Sequence, residues 1–373
     1  MATLIKVNGS GQGGYEFPNG MKWEQSNVTD NSYFSVNHAN GIWVACCAGT
    51  GLQYSIDGKT WTQSNITSGR FRRARYGNEI WVATGYGGNG LYYSVDGKNW
   101  TQSNVASDSF SDVYNADGLW VAVCGNGIYY STDGKSWGIS NIENDCYVVH
   151  NYNGVWVVTS GADDGLYYST NGKTWTISNI NTGAFYSIYG ANGMWVAGKA
   201  NGGLYYSTDG KVWTQSNITD TTFGDVYNSS GLWVACSRTK GLYYSGDGKN
   251  WAQSNVTNIR CEKVFCDNGM WVAGISDSSP GGFYYSFDGK NWELSSSAKG
   301  KIIGFIYSAN GMWVGVTSLS GIYYSPTWEP TIPAGEYMFS ADGLFGADTN
   351  TMSENISFTS NNTNYSKISV IKN

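Results

Sequence analysis

Charged side chains make up only 13% of this 373-residue chain, and the formal net charge is −6. That leaves no broad basic surface for a nucleic-acid backbone, so no nucleic-acid partner is expected. No segment approaches the roughly 20 apolar residues of a membrane-spanning helix, and no membrane insertion is expected either. Met1–Gly14 holds one lysine, a short apolar patch and a glycine-rich stretch. A secretory signal needs a longer apolar region and a small-residue cleavage site, so none is read and synthesis in the cytoplasm is expected. The seven cysteines (46, 47, 124, 146, 236, 261, 266) are odd in number and follow no metal-ligand spacing. They read as buried free thiols in strands of a chain folding in a reducing cytosol, with no metal and no cofactor. Proline is down to five residues, while glycine reaches 50, tyrosine 28 and tryptophan 17. So many large apolar rings argue against disorder, and this density of glycine and tyrosine argues against a helix bundle. Length alone suggests two or three domains, although closed all-β architectures often run longer as one unit.

The chain repeats itself. A Trp-Val pair recurs at Trp43, Trp81, Trp120, Trp156, Trp195, Trp233, Trp271 and Trp313, at intervals of 38, 39, 36, 39, 38, 38 and 42 residues. Between successive pairs lies Ser-x-Asp-Gly-Lys-x-Trp, with its acid at Asp57, Asp96, Asp133, Asp209, Asp247 and Asp288; Asn171 replaces it in the fourth copy. Each repeat divides into four short strands. The first ends in a hairpin turn such as Asn40-Gly41. The second, Ile/Leu/Met-Trp-Val-Ala, is apolar on both faces and so central. The third is Leu-Tyr-Tyr-Ser, and the Asp-Gly-Lys turn leads to a fourth, Trp-Thr-Gln-Ser-Asn. Four strands in about 38 residues, repeated radially, predict an all-β fold, an eight-bladed β-propeller. Tyr15–Asn27 aligns with Tyr92–Asn104, whereas the last repeat departs at Pro326 without a fourth strand. The N-terminal strand around Trp23 is therefore expected to complete the last blade and seal the ring. The expected organisation is an N-terminal arm (1–14), the propeller (15–328) and a C-terminal β-rich segment (329–373) that caps the ring or attaches it to an assembly.

The Ser-x-Asp-Gly-Lys-x-Trp turn resembles the Asp-box, or BNR repeat, of sialidase-like β-propellers, one residue shorter between Asp and Gly in every copy. The resemblance covers residues 15–328 and implies the propeller fold; the box itself is a structural turn on the outer part of each blade. The short, near-identical repeats also resemble propellers of phage virion proteins and bacterial surface proteins.

A fold of this kind does not specify a function, and a ligand site is expected where copies disagree. Nearly all length variation falls in the second-to-third loops and blade connections at one end: Cys124–Gly127, Thr159–Gly165, Cys236–Gly241 and Gly274–Gly282. That layout fits a binding face. The second repeat begins Gly69-Arg70-Phe71-Arg72-Arg73-Ala74-Arg75, four of only six arginines, and places Glu79 where sister hairpins have glycine. Arg75 is aligned with Val36, Val113, Val149, Ile188, Val226, Val264 and Ile306. Arg238 and Arg260, the other two arginines, belong to the same variable end. With Phe71 and Tyr86 as flanking rings, these arginines fit an anionic or hydroxyl-rich ligand. Two other readings stand beside that one: ion pairs with Asp112 and Asp225 on neighbouring first strands, or a subunit contact. The Tyr-Tyr pairs read as packing between blades, and the turn lysines as solvated. His38 and His150 read as core or channel residues. The Asn-x-Thr sequons at 27, 65, 217 and 255 read as products of the repeat that stay unmodified.

The sialidase resemblance implies a tyrosine nucleophile, three arginines from different blades and a paired acid. Here four arginines crowd one blade, and there is no nucleophile elbow, metal-ligand cluster or phosphate loop. The chain is expected not to be an enzyme; Asp163, Asp164 and Asp277 are the acids to test otherwise. The expected role is a non-catalytic binding propeller on a phage particle, in tail, fibre or capsid surface, recognising a host cell-surface glycan or protein. Its C-terminal segment would join other virion subunits. A sialidase-like glycoside hydrolase and a structural virion decoration protein are the alternatives.

Overall fold

The computed structural model describes residues 21–276, 281–295, 297, 301 and 303–325. The N-terminal arm, the C-terminal segment 329–373 and Asp277 lie outside the described residues. Those described form eight four-stranded antiparallel sheets with no helix among them. Each inner strand lies beside the next, and the last lies beside the first, so the sheets close into a ring: an eight-bladed β-propeller. In order, the inner strands are β1 (Tyr33–Ala39), β2 (Arg70–Gly77), β3 (Phe110–Ala116), β4 (Cys146–Tyr152), β5 (Phe185–Ala191), β6 (Phe223–Ser229), β7 (Cys261–Asp267) and β8 (Ile303–Ala309).

The expected closure is present. Glu24–Gln25 pairs antiparallel with Ile322–Ser325, Glu24 opposite Tyr324 and Gln25 opposite Tyr323. Trp23 stacks on Phe283 of the preceding blade at 3.6 Å between ring centroids. The eighth blade thus takes its outer strand from the N-terminal side of the ring, and no sheet is left with three strands.

Successive blades interlock through their apolar faces. Val44, Cys46 and Leu52 of the first blade pack on Phe71, Ala74, Trp81 and Trp100 of the second, and the same arrangement recurs around the ring. Each Asp-Gly-Lys turn is built as its composition requires. Asp57 Oδ1 accepts from the Lys59 and Thr60 amides at 2.8 and 2.7 Å and from Ser55 Oγ at 2.8 Å. Gly58 is at φ 71°, and a Cβ there would press on Trp43 Nε1 and Val314 Cγ2 at 3.3 Å, so glycine is needed for both conformation and contact. In the fourth turn Asn171 Oδ1 accepts the same amides from Lys173 and Thr174 at 2.9 Å.

Three expectations change. The turn lysines are not merely solvated: from Lys59 over Tyr324 (5.6 Å) to Lys290 over Tyr244 (5.4 Å), each ammonium lies on the ring face of a tyrosine in the preceding blade. The asparagine of the Trp-x-x-Ser-Asn outer strand carries more than a sequon. Asn179 Oδ1 accepts from Trp213 N at 2.7 Å while its Nδ2 donates to Trp213 O at 3.0 Å, a two-pronged staple to the next blade. Asn27, Asn65, Asn104, Asn141, Asn217 and Asn255 do the same. Finally, Cys236 and Cys261 are joined as a disulfide instead of remaining free, with Cα atoms 5.0 Å apart. Blade stacking presses the second strand of one blade against the inner strand of the next, a proximity that a sequence separation of 25 does not reveal. The other five cysteines are free and buried, as expected.

Candidate functional site at the channel mouth

Every inner strand carries one β-bulge near its start. In β1, Tyr33 faces Cys47 and Ser35 faces Cys46, so Phe34 opposes nothing; the shift recurs in all eight blades. A bulge frees one side chain from the alternation of the sheet and re-aims it. The freed residues are Phe34, Arg72, Ser111, Tyr147, Tyr186, Gly224, Glu262 and Gly304. They ring the mouth of the central channel at the end that carries the variable loops.

The bulge also corrects the alignment of Arg75. Ala74 faces Ala83 as Val36 faces Ala45, so Ala74 takes the core slot and Arg75 falls one position later. Its true counterparts are Asn37, Tyr114, His150, Tyr189, Tyr227, Phe265 and Tyr307. Phe71 is displaced from the expected rim as well. It is 1% exposed and meets the Tyr92 ring edge-on within the interblade core, where strand alternation points it.

At the mouth, the Tyr86 ring lies between two guanidiniums, Arg70 and Arg72, each 5.2 Å from its centroid. Arg70 also lies 6.0 Å from Phe34. Arg72 reaches past the third blade to stack on Tyr147 at 4.6 Å and donate to its hydroxyl. Among the described residues, neither Arg70 nor Arg72 has a carboxylate within ion-pair distance. The arc continues from Tyr147 to Tyr186 at 5.6 Å, and from Tyr186 to Arg238 at 4.7 Å. There Glu262 supplies the counter-charge, 3.6 Å from Arg238 and paired with Arg260. The structure thus brings Arg70, Arg72, Tyr86, Arg238 and Arg260 to one end, two arginines without an ion pair among the described residues on one side and two sharing the single carboxylate of Glu262 on the other. Asp145 stands beside this arc. Burial, reinforced by Asp164, raises its carboxyl above the usual range, and Arg72 opposes the shift.

Arg73 and Arg75 lie deeper. Asp112, 3% exposed, serves both, at 3.7 Å from Arg73 and 3.9 Å from Arg75. Asp225 pairs not with an arginine but with Lys263, at 2.6 Å. Burial lowers the pKa values of Arg73 and Lys263, against the pull of their carboxylates. Both cations flank Phe305, at 4.8 and 5.0 Å. Below them runs a collar of rings in contact, Tyr114–His150–Tyr189–Tyr227–Phe265–Tyr307, edge-on, stacked or tilted, with successive centroids 4.7, 4.7, 4.8, 4.9 and 5.0 Å apart. Burial, and then Arg75, push the His150 imidazole down to about 3, so it is neutral and serves as a ring among rings.

Phe34, Tyr147, Tyr186 and Asp145 are the mouth residues that sequence reasoning missed. A bulge counted into the repeat would have aligned the first three with Arg72. Asp163 and Asp164 lie in the fourth blade's loop, where the Asp163 carbonyl accepts from Gly183 N at 3.1 Å.

No protein-family model and no curated protein matches the chain. Among solved structures it is similar to the computationally designed Ika8 protein, with TM-score 0.66 and 9% identity over 81% of this chain and 98% of that one. YCF48 from Cyanidioschyzon merolae is similar at TM-score 0.56 and 14% identity, over 81% of this chain and 98% of that one. A GH74 enzyme of Niastella koreensis is similar at TM-score 0.50 and 16% identity, over 76% of this chain and 48% of that one. At these identities the likeness is one of fold.

Proposed function

We propose that this propeller is a non-catalytic binding protein, carried on the surface of a phage particle, that takes a carboxylate-bearing cell-surface glycan at its channel mouth. One observation carries the reading: Arg70 and Arg72 both lie against Tyr86, and among the described residues neither has a carboxylate within ion-pair distance. A ligand carboxylate satisfies two guanidinium forks at once. Tyr86, Phe34 and Tyr147 offer flat apolar faces to a sugar ring. YCF48, a propeller of similar fold, has also been solved bound to D1 peptide, so an acidic protein segment is the outcome to set against a glycan.

The test is a glycan array with the purified chain, run at low and high salt. Acidic glycans should bind, more weakly as salt rises. Arg70→Ala and Arg72→Ala should each weaken binding about tenfold or more, as expected when a charge-assisted hydrogen bond worth ~1.5–3 kcal/mol is lost. Unchanged binding in both variants refutes the site. One observation favours a second reading, glycoside hydrolysis: Asp145, half-buried at the mouth with its carboxyl raised by burial and by Asp164, is suited to donate a proton. A hydrolase assay on the wild type, abolished by Asp145→Asn, would establish that reading in place of the first.

A further inference from the structure

We propose that the gap in the aromatic collar, between Tyr307 and Tyr114, is a second binding site, for a small flat ring bearing a carboxylate. Counted from the residue before its bulge, the fifth position of the inner strand holds a planar ring in six blades and none in two. The first has Asn37 and the second Arg75, and at that sector a cavity of about 290 Å³ opens. Asn37, His38, Arg75, Tyr114, Asn115 and Tyr307 line it, on the hairpin-turn side of the collar. This side is opposite the mouth, so the site is separate from the one proposed there.

Its chemistry follows from what Arg75 leaves unused. The guanidinium stacks on Tyr114 at 5.1 Å, continuing the collar. Its Nη2 is 3.9 Å from Asp112, beyond hydrogen-bond reach, and its Nε is buried without a hydrogen-bond partner. The terminal nitrogens, which make no hydrogen bond among the described residues on a side chain 35% exposed, are open to an incoming acceptor. Asp112 is also shared with Arg73, so two cations face one anion and a positive charge remains over. Asn37 does not answer it, because both ends of its amide are spent on backbone. Its Nδ2 donates to Ala74 O at 3.1 Å, and its Oδ1 accepts from His38 N at 2.8 Å. Burial lowers the His38 pKa, so this imidazole brings no competing charge at neutral pH. What the sector lacks is therefore one ring and one negative charge. A planar aromatic monocarboxylate supplies both, the ring stacking beside Tyr307 and the carboxylate on Arg75.

Benzoate is the probe, read by ligand-observed saturation-transfer NMR on the whole chain, with benzamide and acetate as comparison ligands. Benzoate should bind saturably, with neutral benzamide and ringless acetate each at least tenfold weaker. Asn37→Tyr should complete the collar and abolish benzoate binding while the melting temperature stays at or above that of the wild type. Arg75→Gln should weaken benzoate at least tenfold and bring it level with benzamide. Arg72→Ala at the mouth should change nothing. Absence of saturable benzoate binding to the wild type overturns the proposal, and so does undiminished binding to a folded Asn37→Tyr chain. Acetate binding as tightly as benzoate overturns the ring requirement. Should Arg75→Gln not fold, Asn37→Tyr alone decides.

Discussion

The asparagine staples make a sharp test of what holds neighbouring blades together. Asn179→Ala deletes two hydrogen bonds, at 2.7 and 3.0 Å, between the fourth blade's outer strand and the Trp213 backbone. Each such bond contributes about 1 kcal/mol net. Trp213 is only 3% exposed, so its amide and carbonyl are poorly placed to recover both bonds from water, although the exposed Asn179 side leaves room for one. The expected loss is about 1.5–2 kcal/mol. Each kcal/mol moves the melting temperature of a 150–250-residue domain by about 2–4 °C, and this ring is larger, so a drop of about 3–5 °C is expected. Thermal unfolding followed by tryptophan fluorescence measures it. Asn181→Ala, exposed and two residues along, is the control and should stay within about 0.5 kcal/mol of wild type. Asn179→Asp separates the two prongs. It keeps the acceptor for Trp213 N but turns an oxygen toward Trp213 O, so at neutral pH it should be no more stable than the alanine variant. An Asn179→Ala protein that melts with the wild type would show that the staples contribute nothing and that face packing alone holds adjacent blades.

Glu79 is held at φ 63°, where its sister hairpins have glycine. The left-handed region costs a side chain about 1–2 kcal/mol, and glycine loses about 0.5–1 kcal/mol more chain entropy on folding. Glu79→Gly should therefore stabilise by about 0.5–1 kcal/mol, seen as a higher urea midpoint; a lower midpoint would contradict the strain. Acid stability depends on the turn carboxylates. Partial burial works against the Asp96 charge, but the Asn99 and Lys98 amides, the Asn99 side chain and the Ser94 hydroxyl outweigh it and hold the group at about 2. Asp57, Asp133, Asp209, Asp247 and Asp288 are depressed likewise. Folded values below the unfolded value of about 3.9 mean that this stability is complete above about pH 4 and is lost as pH falls toward 2. The melting temperature should fall through that window, and Asp96→Asn, which copies the natural Asn171 turn, should shallow the fall.

The fold was legible because it is written eight times. Trp-Val spacing gave the blade count, and the fragment around Trp23 gave the closure, each needing only comparison of the chain with itself. What stayed hidden is whatever two blades share. The Cys236–Cys261 disulfide, the turn lysines on tyrosines of the blade before and the asparagine staples all join residues of neighbouring repeats. A repeat alignment stacks such residues in columns and never sets them side by side. Arg75 was misplaced for another reason: hydrophobic pattern alone cannot reveal a bulge, and the small Ala74 left its core slot looking empty. The candidate site was thus legible as composition, six arginines at the variable end. As geometry it was not: Arg73 and Arg75 descend into the channel, Phe71 turns into the core, and Phe34 and Tyr147 come forward.

The bulge also explains why variation concentrates at the mouth. Counted from the residue before the bulge, the first and fourth positions of every inner strand are pressed into the blade behind, and they hold only Tyr, Phe, Cys, Val, Ala or Ile. In the first blade the third and fifth lean on the blade ahead, Ser35 donating to Arg72 O at 2.8 Å and Asn37 to Ala74 O at 3.1 Å. The bulged residue opposes nothing on the second strand, and around the ring it is Phe, Arg, Ser, Tyr, Tyr, Gly, Glu and Gly. Two glycines of the eighth blade show the difference in constraint. A Cβ on Gly304, at the bulge, meets nothing nearer than Tyr33 O at 3.5 Å, whereas one on Gly315 would come within 2.2 Å of Phe283 Cζ. Packing therefore dictates the residue at Gly315 and leaves Gly304 open. Not every bulge is as open: Ser111 is buried, and a Cβ on Gly224 would come within 2.9 Å of Arg238 Nε, a flexible side chain instead of a blade core. Arg72 stands at another of the bulges, beside Arg70 and Tyr86, and its contacts there are with mouth side chains, Tyr86 and Tyr147, not with a blade core.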